Sequence, residues 1–386
     1  MKRDWGRSAV YAGGFLGPFG GGIVTVLVPD LRHELHTSTA GAAAALTVYL
    51  IPFALLQLFS GTIGERRGLA RTVRGGYVVY AITSFGVALT SSLAPFLVMR
   101  GLQGAANAFT TPLLVAALAR MTAASALGSA MGTFASVQTA GVVFAPLVGG
   151  IAGAIDYRLA FVVPGIVALL LVTAPLPPDE RRDEPPRLRS ALTRRTVLLS
   201  VFALFGYLST VGLGVLVALR AADEFGLSAG ARGLLLAGFG LAGVIAGRPI
   251  GKLIDRAGAI RVLVAGCTAA AIVLPLVGLS PTVALLTITW TAAGFASQML
   301  WGTVYTLAVG AAPANQAGAI SIIGACRFAG NALAPLVWLG MYHVKAWIPF
   351  VVAGTVMAVM AVAVGPAGAM RVKRSASAGP TGRRFR

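Results

Sequence analysis

Apolar residues fill this 386-residue chain in stretches of about 20, and each stretch ends in a short loop rich in Arg, Gly or Pro. A helix of ~20 residues, rising 1.5 Å per residue, crosses the ~30 Å hydrocarbon layer of a bilayer. Backbone donors and acceptors in lipid must be satisfied within the chain, so such stretches read as membrane-spanning helices. Composition agrees: 57% of residues are hydrophobic, 11% are charged, and the mean hydropathy is +0.83, well outside a soluble domain. The fold class expected is an all-α membrane protein with twelve helices, over Ser8–Val28, Thr39–Ser60, Thr72–Ser92, Ala94–Ala117, Leu127–Gly153, Leu159–Ala174, Val197–Leu219, Ala229–Arg248, Ala259–Leu279, Thr282–Leu307, Gln316–Met341 and Ala346–Val364.

The stretch Pro175–Arg195 interrupts this pattern with clustered prolines and charges of both signs. It divides the chain into a six-helix bundle over 1–175, a cytoplasmic linker over 176–196, a second six-helix bundle over 197–367 and a basic tail over 368–386. From Arg371 the tail is rich in Ser, Gly and Pro and is expected to be disordered. Lys2, Arg3 and Arg7 precede the first run as in a signal peptide, but that run is long and lacks a clear cleavage site, so it reads as a retained helix. Net charge is +19, yet the basic residues sit in short loops, where they set topology rather than meet nucleic acid. Arg32, Arg158, Arg220, Arg232 and Lys345 fall on one side and Arg100 and Arg327 within helices. All other Lys and Arg share the side of the N-terminus. By the positive-inside rule both termini are cytoplasmic, and the expected location is a bacterial inner membrane, multi-pass. Cys267 and Cys326 lie inside apolar runs and read as small buried residues.

The two halves share motifs. Gly61, Glu65, Arg66, Gly68 and Arg71 follow the second helix, and Gly251, Asp255, Arg256, Gly258 and Arg261 repeat that order after the eighth. The run Ala140–Val148 of the fifth helix likewise matches Ala329–Val337 of the eleventh, at the same spacing to within one residue. A duplicated six-helix unit with both termini on one side gives two parallel halves with a site at their interface.

These residues resemble the major facilitator superfamily over the whole chain. The loop Gly61–Arg71 is similar to that family's Gly-x-x-x-Asp-Arg-x-Gly-Arg signature, with Glu65 in place of the aspartate. The resemblance implies a gate in which Glu65 faces the start of the eleventh helix near Gln316 and Asp255 the start of the fifth, each acid meeting a positive helix end. The bland alternative is a solvated basic turn. Arg100, Gln103 and Gly104 resemble the family's Arg-x-x-Gln-Gly motif. Gly141, Ala145, Pro146, Gly149 and Gly150 resemble the antiporter motif of its exporters, with Ala145 replacing a glycine. Small residues four apart let helices approach closely, and this packing alone is the alternative reading. Together the motifs resemble the twelve-helix drug:proton antiporter branch.

That branch implies protons as a partner, and multidrug antiporters commonly use a buried carboxylate for coupling. Of the twelve acids here none falls within an expected helix interior. Asp30, at the outer end of the first helix and a candidate partner of Arg100, is the nearest coupling residue, with His33, Glu34 and His36 beside it in an expected polar loop. Arg327 lies about eleven residues into its helix, ~16 Å deep, aligned with Gln138 in the repeat. It reads either as a structural tie or as a cavity cation favouring neutral or anionic solutes. Gln103, Asn107, Gln298, Trp301 and Asn331, together with Tyr49, Gln57, Tyr207 and Tyr305, complete the candidates for substrate or coupling.

The chain therefore reads as a monomeric secondary transporter in the lipid bilayer, exporting a small-molecule substrate by alternating access. An importer or uniporter is the runner-up and a non-transporting sensor the distant alternative. No nucleotide loop, metal cluster or nucleophile–base spacing is recognisable, so no enzymatic activity, cofactor or metal is expected. Protease-cleavable tags placed at both ends should be cut in inside-out vesicles and protected in intact cells; cutting of either tag from outside would refute the topology.

Overall fold

The computed structural model describes residues 2–178, 186–227 and 229–377. Helices α1 (Lys2–Gly22) and α2 (Val24–Glu34) form the first span, followed by α3 (Thr39–Arg67) and α4 (Leu69–Leu89). The fourth span is α5 (Leu93–Ala108) with α6 (Thr111–Arg120), and α7 (Leu127–Ile155) and α8 (Leu159–Val172) complete the first half. A short α9 (Leu188–Ala191) precedes the second half. There α10 (Arg194–Ser209) continues through a tight turn over Val211–Leu213 into α11 (Gly214–Asp223). Then come α12 (Ala229–Ala257), α13 (Ala259–Leu279), α14 (Val283–Val309), α15 (Gln316–Val344) and α16 (Ile348–Ser377). The result is the expected fold, twelve spans in two halves.

The surface is inside-out relative to a soluble protein. Leu234 and Leu336 are 79% and 81% exposed, and Ile82, Ile151, Ile245 and Val362 are similarly bare. Such a belt is stable only against lipid. Among the described residues, eight stretches are long and apolar enough by themselves to cross a membrane, and Leu159–Val172 and Ile348–Val364 are shorter apolar helices.

Four expectations need correction. The first span extends from Lys2 to Glu34 and breaks at Ile23, after Gly20, Gly21 and Gly22. The polar loop expected at Asp30, His33 and Glu34 is therefore helical. Leu27, Leu31 and Leu35, four residues apart and buried, hold α2 in place. His36, at φ 47°, ends that helix. The fourth span breaks around Thr110, where Pro112 in the first turn of α6 lacks an N–H to continue α5. Finally, α16 runs to Ser377, so the start of the tail expected to be disordered is helical; 378–386 and the linker centre 179–185 lie outside the described residues.

The duplication is visible in how backbones meet. A Cβ built on Gly104 would stand 2.0 Å from the Tyr49 carbonyl oxygen, and one on Gly294 2.3 Å from that of Phe239. A Cβ on Gly141 would stand 2.5 Å from the Phe15 carbonyl oxygen, and one on Gly330 2.1 Å from that of Leu204. Each pair is the repeat of the other, so the same helix crossings recur in both halves. At the turns α3–α4 and α12–α13, Gly68 and Gly258 take φ of 99° and 87°, a region closed to most side chains.

Between the halves, α7 crosses α12 at glycines. A Cβ on Gly132 would lie 2.3 Å from the Gly247 carbonyl oxygen, and one on Gly251 2.5 Å from that of Gly128. Replacing Gly132→Val should force α7 and α12 apart and cost about 1–3 kcal/mol, read as a lowered thermal midpoint of the purified protein. Gly75→Ala, where a Cβ meets nothing within 4 Å, should cost nothing; equal losses at both positions would contradict the close crossing.

Candidate functional site

Two adjoining cavities lie between the halves. The smaller, about 190 Å³, is lined by Gln138 and Thr139 of α7, Tyr207 of α10, Phe239 of α12, Gln298 and Trp301 of α14, and Arg327 and Phe328 of α15. The larger, about 530 Å³, runs past Gly17 and Gly21 of α1, Leu46, Tyr49 and Phe53 of α3, and Asn107, to Asn331 and Ala332 of α15. Pro18, Gln138, Val142 and Phe328 border both.

Arg327 is only 5% exposed. Its Nη1 donates to the Tyr305 hydroxyl at 2.5 Å and to Gln138 Oε1 at 3.4 Å, while Tyr305 donates to the same Gln138 oxygen at 2.6 Å. Four rings stand around the guanidinium: Phe328 at 4.5 Å, Tyr207 at 5.1 Å, Trp301 at 5.3 Å and Tyr305 at 5.4 Å. Ring faces attract a cation, more strongly away from water. Tyr207 and Trp301 meet edge to face at 4.6 Å, which fixes the ring set. Gln298 instead donates to the Gly132 carbonyl at 3.3 Å, tying α14 to α7. Sequence reasoning missed Phe328, Phe239 and Phe53, because which way a helical ring points depends on helix rotation.

Toward the loops carrying the repeated acids, the cavities give way to contact between the halves. Asp255 at the end of α12 accepts from the N–H groups of Gly128 and Ser129 at 2.6 and 2.8 Å, capping the first turn of α7. Glu65 at the end of α3 accepts from Ala317 N–H in the first turn of α15, at 3.2 Å. Each carboxylate answers orphan donors of a helix in the other half, where the helix dipole is positive. Ser60 and Gly61 meet Ser321, and Asn315 donates to Thr62. Ser136 donates to the carbonyls of Gly243 and Val244.

The pair is not symmetric in detail. Arg120 Nη2 reaches both oxygens of Glu65, at 2.9 and 3.0 Å, and the Glu65 side chain is 2% exposed. Arg120 entered the sequence reading only as a topology charge, and nothing local ties it to a residue 55 positions away. Arg66 and Arg71 flank this turn, and Arg256 and Arg261 its echo; Arg261 donates to the Ala257 carbonyl.

The remaining candidates lie elsewhere. Arg100, fully buried, donates to Gln103 and to the Gly20 carbonyl and packs on the Tyr49 ring at 4.4 Å; Gln103 in turn donates to Ser84. These bonds tie α5 to α1 and α4; Arg100 and Gln103 border neither cavity, and Tyr49 stands between Arg100 and the larger one. Asp30 is half-buried on α2, lines neither cavity and forms no ion pair with Arg100. Gln57 is buried beside Gly324. Gly141 and Ala145 pack on α1, against Phe15 and Gly22, and Gly149 is buried. The surroundings of Pro146 and Gly150 lie outside the described residues.

A double-mutant cycle on Glu65→Gln and Arg120→Gln should give a coupling of about 1–3 kcal/mol in thermal stability, above the value of an exposed pair. A coupling near zero would show that the pair contributes nothing to holding α3 and α6 together.

The sequence profile of the Major Facilitator Superfamily matches residues 10–216 and again 199–384. The multidrug efflux protein YfmO of Bacillus subtilis is 29% identical over 353 residues, covering 87% of this chain and 86% of that one. The tetracenomycin C resistance and export protein of Streptomyces glaucescens is 30% identical over 129 residues, which is 33% of this chain and 24% of that protein. Among solved structures, the human organic anion transporter MFSD10 superposes with a TM-score of 0.80 at 15% identity, covering 94% of this chain and all of that one, 100%. The Escherichia coli fucose:proton symporter gives 0.75 at 14%, covering 94% and 99%. At such identities these two speak for the fold alone. With the fold, the repeated acid loops and the profile match over both halves in agreement, this chain belongs to the major facilitator superfamily of multi-pass membrane transporters.

Proposed function

We propose that this protein exports a small organic solute across a bacterial inner membrane by alternating access, with both termini in the cytoplasm. The observation that carries the reading is the placement of the cavities. They lie between the halves on one side of a contact zone built from Glu65, Asp255 and the helix starts they cap. Breaking those caps while opposite ends close would carry the cavity from one side of the membrane to the other. Glu65 and Asp255 with Gly61, Gly68, Gly251 and Gly258 then form the cytoplasmic gate, and Gln138, Trp301, Arg327, Asn107 and Asn331 face the solute. The export direction is supported by relatives named for efflux and export and by the close packing of Gly141 and Ala145 on α1.

Inward proton movement is the driving reaction in this reading. Its candidate is Asp30, on the helix that continues the cavity-lining α1. Cells overproducing the protein should accumulate less of at least one compound in a panel than cells that do not produce it; equal accumulation across the panel would overturn export. In proteoliposomes under an imposed pH gradient, Asp30→Asn should lower gradient-driven flux, and undiminished flux would remove Asp30 from coupling.

A further inference from the structure

Three residues that line the smaller cavity each carry a buried hydrogen-bond donor without an acceptor: Arg327 Nε, Gln138 Nε2 and Trp301 Nε1. Their residues are 5%, 5% and 6% exposed, so lipid and bulk water do not complete them. Arg327 spends Nη1 on Tyr305 and Gln138, which leaves the Nε–Nη2 edge of the fork unoccupied among the described residues. That edge is the geometry that takes a planar oxyanion through two parallel bonds.

Charge points the same way. Arginine keeps its proton under all physiological conditions. The groups around it, Tyr305, Gln138, Tyr207, Trp301 and Phe328, are all neutral. No described Asp or Glu lines either cavity. A buried cation met only by ring faces and neutral dipoles is left partly uncompensated, which is costly in a medium of low dielectric. Of the other buried arginines, Arg220 donates to the Val277 and Ser280 carbonyls and pairs with Glu224. Arg100, whose Nε also lacks a partner, places both its Nη groups on Gly20 and Gln103 and borders neither cavity. The cavity is walled by Phe239, Tyr207, Trp301 and Phe328, a setting for a flat apolar body.

We propose that the cavity receives an organic anion, its carboxylate or sulfonate on the free edge of Arg327 and within reach of Trp301 and Gln138, and its aromatic or apolar body among the four rings. This rests on the reading that the cavity is the transport site. The ordering of affinity follows from the chemistry. An anion meets both the unpaired donors and the charge, a neutral acceptor meets only the donors, and a cation is repelled. Export of a monovalent anion also moves negative charge outward, so a membrane potential negative inside supports about a tenfold gradient for each ~60 mV.

The test uses three probes of one shape on the purified full chain: 2-naphthalenesulfonate, the neutral methyl 2-naphthyl sulfone and the cationic 2-naphthyltrimethylammonium. Titration calorimetry should show the sulfonate binding at least about tenfold tighter than the sulfone, and the cation not at all. Arg327→Gln should remove that advantage while leaving the sulfone unchanged. Trp301→Phe, which keeps a ring and loses the donor, should weaken the sulfonate several-fold and serves if Arg327→Gln fails to fold. Equal binding of the three probes, or unaltered sulfonate binding in both variants, overturns the proposal. In proteoliposomes with a valinomycin-set potential, sulfonate uptake should rise when the interior is positive. Flux of the sulfone or the cation without sulfonate preference would sink the anion proposal and leave transport standing. Sulfonate binding with no flux of any probe at either potential would sink the transport reading and leave the anion site standing.

Discussion

A helix that begins inside a membrane protein presents backbone N–H groups that neither its own turns nor water can satisfy. The starts of α7 and α15 meet that demand across the interface through Asp255 and Glu65 at the ends of α12 and α3, with Asn315 capping α15 from its own half as well. The rest of the arrangement follows from where these two caps sit. They draw the halves together at the end bearing the basic loops, where Gly128, Gly132, Gly247 and Gly251 let α7 and α12 approach backbone to backbone. Farther from those loops α7 and α12 stay in contact, Val143 against Gly240, and the cavities lie beside them. Because both caps are charge-assisted and both depend on helix ends from the opposite half, a movement of one half against the other would make or break them. That property suits the gate proposed here better than it suits a permanent tie.

Two buried arginines show how context divides one residue type. Arg100 places both Nη groups on a carbonyl and an amide and packs on the Tyr49 ring inside the first half, joining α1 to α5 with only its Nε left without a partner. Arg327 lines a cavity, keeps one edge without a partner and is surrounded by rings. Inserting an arginine costs at least about 2.5 kcal/mol on translocon scales. In the first case internal partners offset that cost; in the second the bound solute would contribute to offsetting it.

The fold was legible because its signals are local or repeated. Apolar run length located the spans, and the order Gly61, Glu65, Arg66, Gly68 with its echo at Gly251 exposed the duplication that the glycine crossings display in space. Arg327 and its repeat mate Gln138 were picked out by depth and alignment, and they are hydrogen-bonded neighbours. What was not legible depends on rotation and distance. The pairing of Arg120 with Glu65, the placing of Phe328 over the guanidinium and the withdrawal of Arg100 and Gln103 from the cavities come from how helices turn against one another. The helical course of Asp30 through Glu34 was hidden because its polar residues outweigh, in sequence, the buried stripe of Leu27, Leu31 and Leu35.

If the two capping carboxylates hold the gate, neutralising them frees the halves to part at the basic-loop end. Pulsed electron resonance distances between spin labels at Ser125 and Lys252, and separately at Ile155 and Leu234, measure the two ends of the α7–α12 crossing in a background with Cys267 and Cys326 replaced by alanine. The Glu65→Gln, Asp255→Asn double variant should show a new, longer population for the Ser125–Lys252 pair and a new, shorter one for Ile155–Leu234. Distance distributions identical to those of the parent at both ends would rule out the carboxylates as the gate.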